Sequence, residues 1–376
     1  MAIRVLNRFP GANVRVLAQP QAPDAELVFA PDPHGGPEAL WFDFRIEDSD
    51  PPTPVPESMA LTLRFFDVHP GKTNPEHCRP VIRETGKSWN RLRAPSVTTL
   101  DDGQLLLHWT IPYPAARVEL ALCHPYGREE LDVMLQRAKG YWREESIGLT
   151  QGGRLLTRLD NRVGGKGKGA AAPRGLYLLA RQQPGETPGS WVLDGMLETI
   201  SRARAANWCV WSTPFADLDG MIAGNHAGDF TAGRAWMDPP MRYEGAVLQW
   251  DMSRWAERCR PELVVDLQAA GIRDNDGIHV SVAPAAPDAE RNRQAWTNIM
   301  QQALGPEFAA DPFTRTTGTP PGTDVDGGLA DYVHKACGCC ALTIRAPYTA
   351  CRETLMTPKQ YREAGRRLAQ AILTRW

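Results

Sequence analysis

The chain has 376 residues, long enough for two domains, and its 42 basic and 44 acidic residues give a formal net charge of -2. This near-neutral charge gives no electrostatic reason to expect nucleic acid or an anionic membrane as a partner. Because the N-terminus lacks a signal-peptide pattern, no apolar run approaches the roughly 18 residues of a membrane span, and the cysteines are not densely spaced, we expect a cytoplasmic protein without disulfides.

The first part of the chain, 1–122, is predicted to be all-β. Its apolar or alternating runs are short and are separated by prolines and glycines, which is typical of strands joined by turns. No helical period is evident there, so a β-sandwich domain is expected. The clearest strand candidates are Leu40–Ile46, Met59–Phe66 and Gln104–Ile111.

The second part, 123–376, alternates apolar strands with helices, and this alternation predicts an α/β domain. The strand candidates are Gly175–Ala180, Trp208–Trp211, Leu263–Leu267 and Ala341–Ile344. The helix candidates are Glu129–Tyr141, Ser190–Ala205, Asp288–Ala303 and Pro358–Thr374. The last helix has a clear start signal, because Thr357 is a good N-cap and Pro358 suits the first helical position.

Residues 181–186, which read Arg-Gln-Gln-Pro-Gly-Glu, directly follow the predicted strand that ends at Ala180. Zinc peptide hydrolysis needs three protein ligands, an open position for water, and a carboxylate that accepts the water's proton. A His and a Glu three residues apart at a strand end, with a distant His, supply such ligands. The segment resembles the Arg-x-His-Pro-Gly-Glu motif of the zinc metallocarboxypeptidases, the M14 family, and in particular its cytosolic carboxypeptidase-like subgroup.

Further landmarks of that family follow in the same order. Residues 217–220 stand in place of Asn-Pro-Asp-Gly, 233–236 in place of Asn-Arg-Asn-Trp, and 266–268 in place of Asp-Leu-His. The N-terminal part is similar to the subgroup's accessory domain at 41–45, 88–91 and 123–126. The resemblance implies an M14 carboxypeptidase-like α/β domain, with a mixed central sheet flanked by helices, preceded by an N-terminal β-sandwich domain.

The same resemblance implies an altered zinc site. The family's zinc positions correspond to Gln183, Glu186 and Gln268, and the catalytic carboxylate corresponds to Arg345. Zinc favours imidazole and thiolate over an amide oxygen, so the affinity for the metal should fall. A guanidinium stays protonated at any useful pH and cannot act as a general base. We therefore expect no cofactor and no hydrolysis by the family mechanism.

Charge balance suggests what replaces the metal. A buried carboxylate needs a partner, and Arg345 could neutralise Glu186 as the zinc ion would. This hypothesis predicts that Arg345 lies within hydrogen-bond reach of Glu186, with the Gln183 or Gln268 amide nearby. The alternative is that Arg345 turns to solvent and Glu186 is hydrogen-bonded elsewhere.

Three arginines besides Arg345 are candidates for binding a substrate. Arg234 corresponds to the family's substrate-carboxylate arginine, and Arg181 belongs to the zinc motif. Arg273 follows Gln268 in a loop that borders the pocket in this architecture, so it could recognise a carboxylate. A solvated arginine paired with a neighbouring aspartate is the alternative for Arg273.

Cysteines and histidines near these landmarks could replace the missing ligands. We expect the cysteines to be buried thiols of the protein core. The alternatives are a replacement metal site and a reactive cysteine. The histidines could be substitute ligands. The residues concerned are Cys337, Cys339, Cys340, Cys351, His226 and His279.

Three functions remain open from the sequence. The first is a non-hydrolytic protein that binds peptide or protein C-termini, including acidic ones, at arginines. The second is a working zinc carboxypeptidase with atypical ligands, and the third is a metal-free enzyme with changed chemistry around Arg345 and the nearby thiols. The fold alone does not decide among them.

Overall fold

The computed structural model describes residues 3–375 apart from 20–25, 34–39, 51–53, 66–74, 115–116, 165–171, 228–233, 238, 241, 273, 283–286 and 317–327. At Phe65, Arg234 and 287–289 the backbone alone is described. No helix in these segments is both long and apolar enough to cross a membrane.

The described residues before 122 form two five-stranded sheets. The first has the strand order β1, β4, β10, β6, β7 and the second the order β2, β3, β5, β9, β8. The strands are β1 (Ile3–Leu6), β2 (Arg15–Ala18), β3 (Leu27–Ala30), β4 (Asp43–Asp48), β5 (Ser58–Phe65), β6 (Val81–Glu84), β7 (Asn90–Arg91), β8 (Ser96–Thr99), β9 (Leu105–Pro112) and β10 (Val118–Ala121).

These two sheets form a β-sandwich. Phe29 of one sheet and Phe44 of the other are fully buried, and their rings meet edge to face with centroids 4.8 Å apart. Such interdigitation of two inner faces is the packing of a sandwich core. The predicted sandwich is therefore present, and the three predicted strands correspond to β4, β5 and β9 with ends displaced by at most three residues.

The rest of the chain is built on a mixed eight-stranded sheet, as far as it is described, with the order β11, β12, β14, β13, β15, β18, β16, β17. Its strands are β11 (Arg143–Leu149), β12 (Leu155–Asp160), β13 (Arg174–Ala180), β14 (Trp208–Thr213), β15 (Arg260–Ala269), β16 (Ile278–Val282), β17 (Ala309–Thr316) and β18 (Cys340–Ala346). The central pairs of β13 with β14, β13 with β15, and β15 with β18 are parallel, whereas the pairs that involve β12, and that of β16 with β18, are antiparallel. A short hairpin of β19 (Ala350–Cys351) and β20 (Thr354–Leu355) follows.

Helices cover both faces of this sheet. They are α1 (Arg128–Arg137), α2 (Thr187–Ala203), α3 (Leu218–Ala223), α4 (Tyr243–Ala256), α5 (Pro287–Phe308, interrupted at Gly305), α6 (Leu329–Cys337) and α7 (Pro358–Thr374). Leu176 and Leu178 of β13 belong to the apolar cluster that includes α2 and α7. Tyr177 and Leu179 belong to the cluster that includes α4 and α6. This alternation follows from the two-residue period of a strand buried on both faces.

All four predicted strands and all four predicted helices of the second part are present, but several elements were missed. Strand β11 is an edge strand with mostly polar, exposed residues, and β17 contains Pro312, so neither shows a strand pattern. Helix α4 exposes Tyr243 and Trp250, which blurs its apolar period. The division into domains 1–122 and 123–376 stays a prediction, because one apolar cluster includes residues of both parts.

The carboxyl ends of the parallel strands carry the residues that the sequence resemblance placed at a metal site. The turn after β13 leads into α2, whose N-cap residue is Glu186. Gln268 lies near the end of β15 and Arg345 near the end of β18. Because β13, β15 and β18 are adjacent, these side chains meet at one edge of the sheet.

Candidate functional site

The first part of the site is the turn between β13 and α2. The Glu186 amide donates to the Gln183 carbonyl across 3.1 Å. Gly185 lies against His226, because its amide donates to the His226 carbonyl (2.9 Å) and a Cβ at this position would lie 2.7 Å from His226 Nδ1. A glycine is therefore needed for this close approach, which holds Glu186 at the edge of the sheet.

The second part consists of two neighbouring strand ends. Gln268 and Arg345 are register partners, so their side chains leave adjacent strands on one face of the sheet. Gln268 Nε2 donates to Asp266 Oδ2 (2.5 Å). Arg345 donates from Nε to Ser281 Oγ (2.9 Å) and from Nη1 to the Ala269 carbonyl (3.0 Å). These bonds fix the guanidinium against the sheet edge.

Arg345 and Glu186 lie next to each other. Arg345 Nη1 is 3.7 Å from Glu186 Oε1, with the side chains 31% and 9% exposed respectively. This distance is that of an ion pair and exceeds a hydrogen bond. The two groups are thus close, but they lie outside the hydrogen-bond reach that the charge-balance hypothesis predicted, and the hydrogen bonds of Arg345 go to Ser281 and Ala269 instead.

Burial governs the protonation of the carboxyl groups here. Burial raises the pKa of Glu186 to about 8, against the lowering effect of the Arg345 charge and with the raising effect of Asp266. Burial also raises the pKa of Asp266 to about 6, while the nearby Gln182 side chain and Arg345 act in the opposite direction. Burial is the largest cause of both shifts, so each of the two groups holds its proton to a higher pH than a solvated carboxyl group does.

Arg181 lies inside the protein. It is 3% exposed, its backbone has a φ of 60°, and its Nη1 donates to the Tyr126 carbonyl at 3.4 Å. Burial lowers the pKa of Arg181 to about 10, and the charge of Glu186 is among those that oppose the shift. The guanidinium of Arg181 therefore places a positive charge inside the protein, where it acts on Glu186.

The other two predicted substrate-binding arginines fall outside the described side chains. Arg234 begins a 3₁₀ turn, Arg234–Trp236, and only the backbone of Arg234 is described. Trp236 in this turn donates from Nε1 to Gln182 Oε1 (2.8 Å), which connects the turn to the segment at 181–186. Arg273 lies outside the described residues. Their roles stay predictions.

The cysteines near β18 are buried or half-buried, free thiols. Burial raises the pKa of Cys337 to about 11 and that of Cys340 and Cys351 to about 12, and it also raises that of Cys339. A thiol with a raised pKa is a poor nucleophile at neutral pH. Their burial favours core thiols over a reactive cysteine.

The two histidines lie near the site without forming a ligand set. Burial lowers the pKa of both His226 and His279 to about 4, and His279 is the register partner of Arg345 on β16. No group of three or more His, Cys, Asp or Glu side chains in the described part of the chain is arranged to hold a metal ion.

Sequence reasoning missed two contributors to the site. Asp266 stood out only as part of a family landmark, yet it precedes Gln268 by two residues and strand alternation puts both side chains on one face. Ser281, the acceptor for Arg345, comes from a strand that was not predicted. The spacing of two residues between Asp266 and Gln268 was a detectable signal in the sequence. No comparable signal pointed to Ser281.

The chain is similar in sequence and in fold to carboxypeptidases. No protein-family model matches the chain. It is 23% identical to cytosolic carboxypeptidase 6 of Homo sapiens over 252 residues, which cover 61% of this chain and 49% of that protein. It is 20% identical over 337 residues to cytosolic carboxypeptidase 6 of Caenorhabditis elegans, covering 82% and 71% of the two chains. The match thus spans about half the length of the human relative.

Solved structures with the same fold cover almost the whole chain. A metallo-carboxypeptidase from Burkholderia cenocepacia superposes with a TM-score of 0.76 at 16% identity, over 99% of this chain and 98% of that one. A metallo-carboxypeptidase from Pseudomonas aeruginosa, in complex with (2-guanidinoethylmercapto)succinic acid, has a TM-score of 0.72 at 20% identity, with coverages of 99% and 98%. Because the sequence identities are only 16% and 20%, these superpositions establish the fold of the chain.

Proposed function

We propose that this chain, which is an M14 carboxypeptidase-like protein in sequence and fold, binds the carboxylate of a peptide or protein C-terminus without hydrolysing the peptide bond by the zinc mechanism. The observation that carries the proposal is the ion pair between Arg345 and Glu186, with Nη1 and Oε1 3.7 Å apart. It puts a permanent positive charge beside the carboxylate at a zinc position.

The side chains at the family's zinc positions do not suit zinc. Gln183 and Gln268 offer amide oxygens where zinc favours imidazole nitrogen, and Glu186 is the one anionic donor of the three. The Arg345 guanidinium would also repel a dication bound to Glu186. Arg345 occupies the position of the general base and has no basic atom with which to accept a proton from water.

The same features suit the binding of a carboxylate. A guanidinium binds a carboxylate through strong, charge-assisted hydrogen bonds that often form in pairs. The Arg345 side chain is partly exposed, and Nη2 makes no hydrogen bond to the described residues. The charge of buried Arg181 adds to the positive potential at this edge. Acidic C-termini would gain most from it.

A metal-free enzyme that uses the nearby thiols receives less support. The pKa values of Cys337, Cys339, Cys340 and Cys351 are all raised by burial, so the thiolate form is scarce at neutral pH.

The test is calorimetric titration with a peptide that ends in glutamate, as the free acid and as the C-terminal amide. We expect the free acid to bind about tenfold more tightly, because only it offers an α-carboxylate to Arg345, whereas the γ-carboxylate of the glutamate is the same in both peptides. Arg345→Gln should remove the difference. Arg202→Gln, which changes an exposed arginine on α2, is the matched control and should keep it.

Zinc analysis and a peptidase assay complete the test. We expect the purified protein to retain no stoichiometric zinc after dialysis against zinc, and to release no amino acid from the peptide. One zinc per chain together with chelator-sensitive release of C-terminal residues would overturn the proposal in favour of an active carboxypeptidase. Equal affinity for free acid and amide would also overturn it.

A further inference from the structure

The second half of α2 and the first half of α7 border an open cleft with a volume of about 310 Å³. Gly195 lines this cleft and follows the N-cap residue Glu186 by nine positions, which is about 14 Å along the helix axis. The cleft is therefore separate from the carboxylate site at the edge of the sheet. Its other lining residues are Thr199 and six with charged side chains, Glu198, Arg202, Lys359, Arg362, Glu363 and Arg366.

Both carboxylates in the cleft are already paired with arginines. Glu363 Oε1 accepts from Arg366 Nη2 (2.5 Å), and Glu363 Oε2 accepts from Arg366 Nε (2.7 Å). Glu198 Oε1 accepts from Arg202 Nη2 (2.5 Å), and Glu198 Oε2 lies 3.8 Å from Arg137 Nη2. Arginine therefore compensates the negative charge of both side chains, and the remaining cations of the cleft are left without a carboxylate of the cleft as partner.

Those remaining cations are Lys359 and Arg362. Arg362 Nε donates to Asp194 Oδ1 (2.8 Å), and Arg362 Cζ lies 4.7 Å from the centroid of the Trp191 ring. Because Asp194 is fully buried, this bond anchors the guanidinium at the wall of the cleft. Within the described part of the chain, Arg362 Nη1 and Nη2 and the Lys359 ammonium have no hydrogen-bond partner.

The helical spacing on α7 places these two cations side by side. Lys359 and Arg362 are three residues apart, so their side chains are neighbours on one face of the helix, and like charges at such a spacing repel each other. The whole chain has a formal net charge of -2, so the local excess of positive charge is not a general property of this protein. An anion bound between the two side chains would offset their repulsion.

We propose that the cleft between α2 and α7 binds a phosphate group with two negative charges, as inorganic phosphate or as a small organic phosphate monoester. The two negative charges match the two cations that lack a carboxylate partner in the cleft. A guanidinium donates to phosphate oxygens in pairs, and a lysine ammonium binds phosphate as a point charge. A volume of about 310 Å³ falls within the range of small-molecule sites and leaves room for an organic part. This second site goes beyond the proposed binding of C-termini and does not depend on it.

The test is calorimetric titration with phenyl phosphate and with methyl phenyl phosphate at one fixed ionic strength. At a pH of about 8 the monoester carries close to two negative charges and the diester carries one, although the molecules are otherwise similar. We expect the monoester to bind about tenfold more tightly. Inorganic phosphate distinguishes the two forms of the ligand, because affinity equal to that of phenyl phosphate assigns the cleft to the free ion and lower affinity assigns it to a monoester.

Variants locate the binding in the cleft. Lys359→Gln should weaken the binding of phenyl phosphate about tenfold, whereas Lys359→Arg should keep it because the positive charge remains. Lys87→Gln, which changes an exposed lysine of the β-sandwich, is the matched control and should have no effect. Arg362→Gln should weaken the binding as well. Because it also removes a partner of buried Asp194, its folding is checked by circular dichroism before the titration.

Equal affinity for the monoester and the diester would overturn the inference, as would the absence of saturable binding up to about 10 mM phenyl phosphate. An equal loss of affinity in Lys359→Gln and Lys87→Gln would overturn it too, because general surface charge would then explain the binding. The proposed function is tested separately. Arg345→Gln should leave the binding of phenyl phosphate unchanged, and Lys359→Gln should leave the preference for the free-acid peptide over its amide unchanged.

Discussion

At the scale of single residues, the site is defined by what stands beside Glu186. The carboxylate is buried, and its pKa is raised to about 8 by that burial. Arg345 supplies a charge at 3.7 Å, but its hydrogen bonds are to Ser281 and Ala269. The two side chains are therefore neighbours without a direct hydrogen bond, and the second oxygen of Glu186 is buried.

Installing the residues of the metallocarboxypeptidase motif should create a zinc site. The triple variant with Gln183→His, Gln268→His and Arg345→Glu would provide two imidazoles and a carboxylate beside Glu186, without the repelling guanidinium. We expect it to retain about one zinc per chain after dialysis, as measured by elemental analysis. Arg345→Glu alone is the control and should retain little, because both amides remain. A folded triple variant that stays free of zinc would show that the backbone positions no longer suit the metal.

At the scale of elements, the close contact between α2 and α7 helps to position Glu186 at the start of α2. Gly195 of α2 lies against the Arg362 carbonyl, and Gly365 of α7 lies against the Val192 carbonyl, so that a Cβ at either glycine would clash with backbone. Small residues let the two helices approach closely. Because Glu186 is the N-cap of α2, this packing contributes to the position of the carboxylate.

Gly365→Ala should destabilise the protein strongly. The added Cβ would force α2 and α7 apart, and overpacking of a buried contact costs about 1–3 kcal/mol, or more where backbone must move. The measurement is the free energy of unfolding in urea. Gly328→Ala is the control, because this glycine has a φ of -67° and an added Cβ would meet no heavy atom within 4 Å. Equal stability of the two variants would show that the helices can separate at little cost.

At the scale of the whole molecule, the β-sandwich and the α/β part are joined by backbone and core contacts. Asn13 Nδ2 donates to the Gly224 carbonyl (2.7 Å) and to the Asp32 carbonyl (3.0 Å), and Asn13 Oδ1 accepts from the Asp32 amide (2.7 Å). Arg91 Nη2 donates to the Met356 carbonyl (3.0 Å). One apolar cluster includes residues of both parts, so we expect them to unfold together.

Asn13→Ala should lower the stability of both parts to the same extent. It removes one hydrogen bond to Gly224 across the junction and two to Asp32 within the β-sandwich, at a cost of about 2–4 kcal/mol. Hydrogen exchange in urea, followed by mass spectrometry, would report β3 and β15 separately, and both should show the same shift in midpoint. Asn90→Ala is the control, since the Asn90 side chain makes an exposed bond to the Ser88 carbonyl. Separate unfolding transitions for β3 and β15 in the wild-type protein, with only the midpoint of β3 shifted in Asn13→Ala, would contradict joint unfolding of the two parts.

Much of the architecture followed from local patterns in the sequence. Apolar runs bounded by turn residues predicted β4, β5 and β9, and the start signal at Thr357 and Pro358 predicted α7. Patterns of this kind arise from burial and backbone preference over a few neighbouring residues, so they can be recognised in the sequence alone. Edge strands such as β11 and β17 were missed, because an edge needs no continuous apolar face.

The sequence by itself determined the metallocarboxypeptidase-like fold and the identity of the residues at the family's site positions. Only the tertiary structure decided that Arg345 Nη1 lies 3.7 Å from Glu186 Oε1 and that Arg181 is buried. The physical reason is that these distances depend on the register of β15 with β18 and on the packing of α2 against the sheet. Both are contacts between distant parts of the chain, and local sequence preference does not specify their geometry.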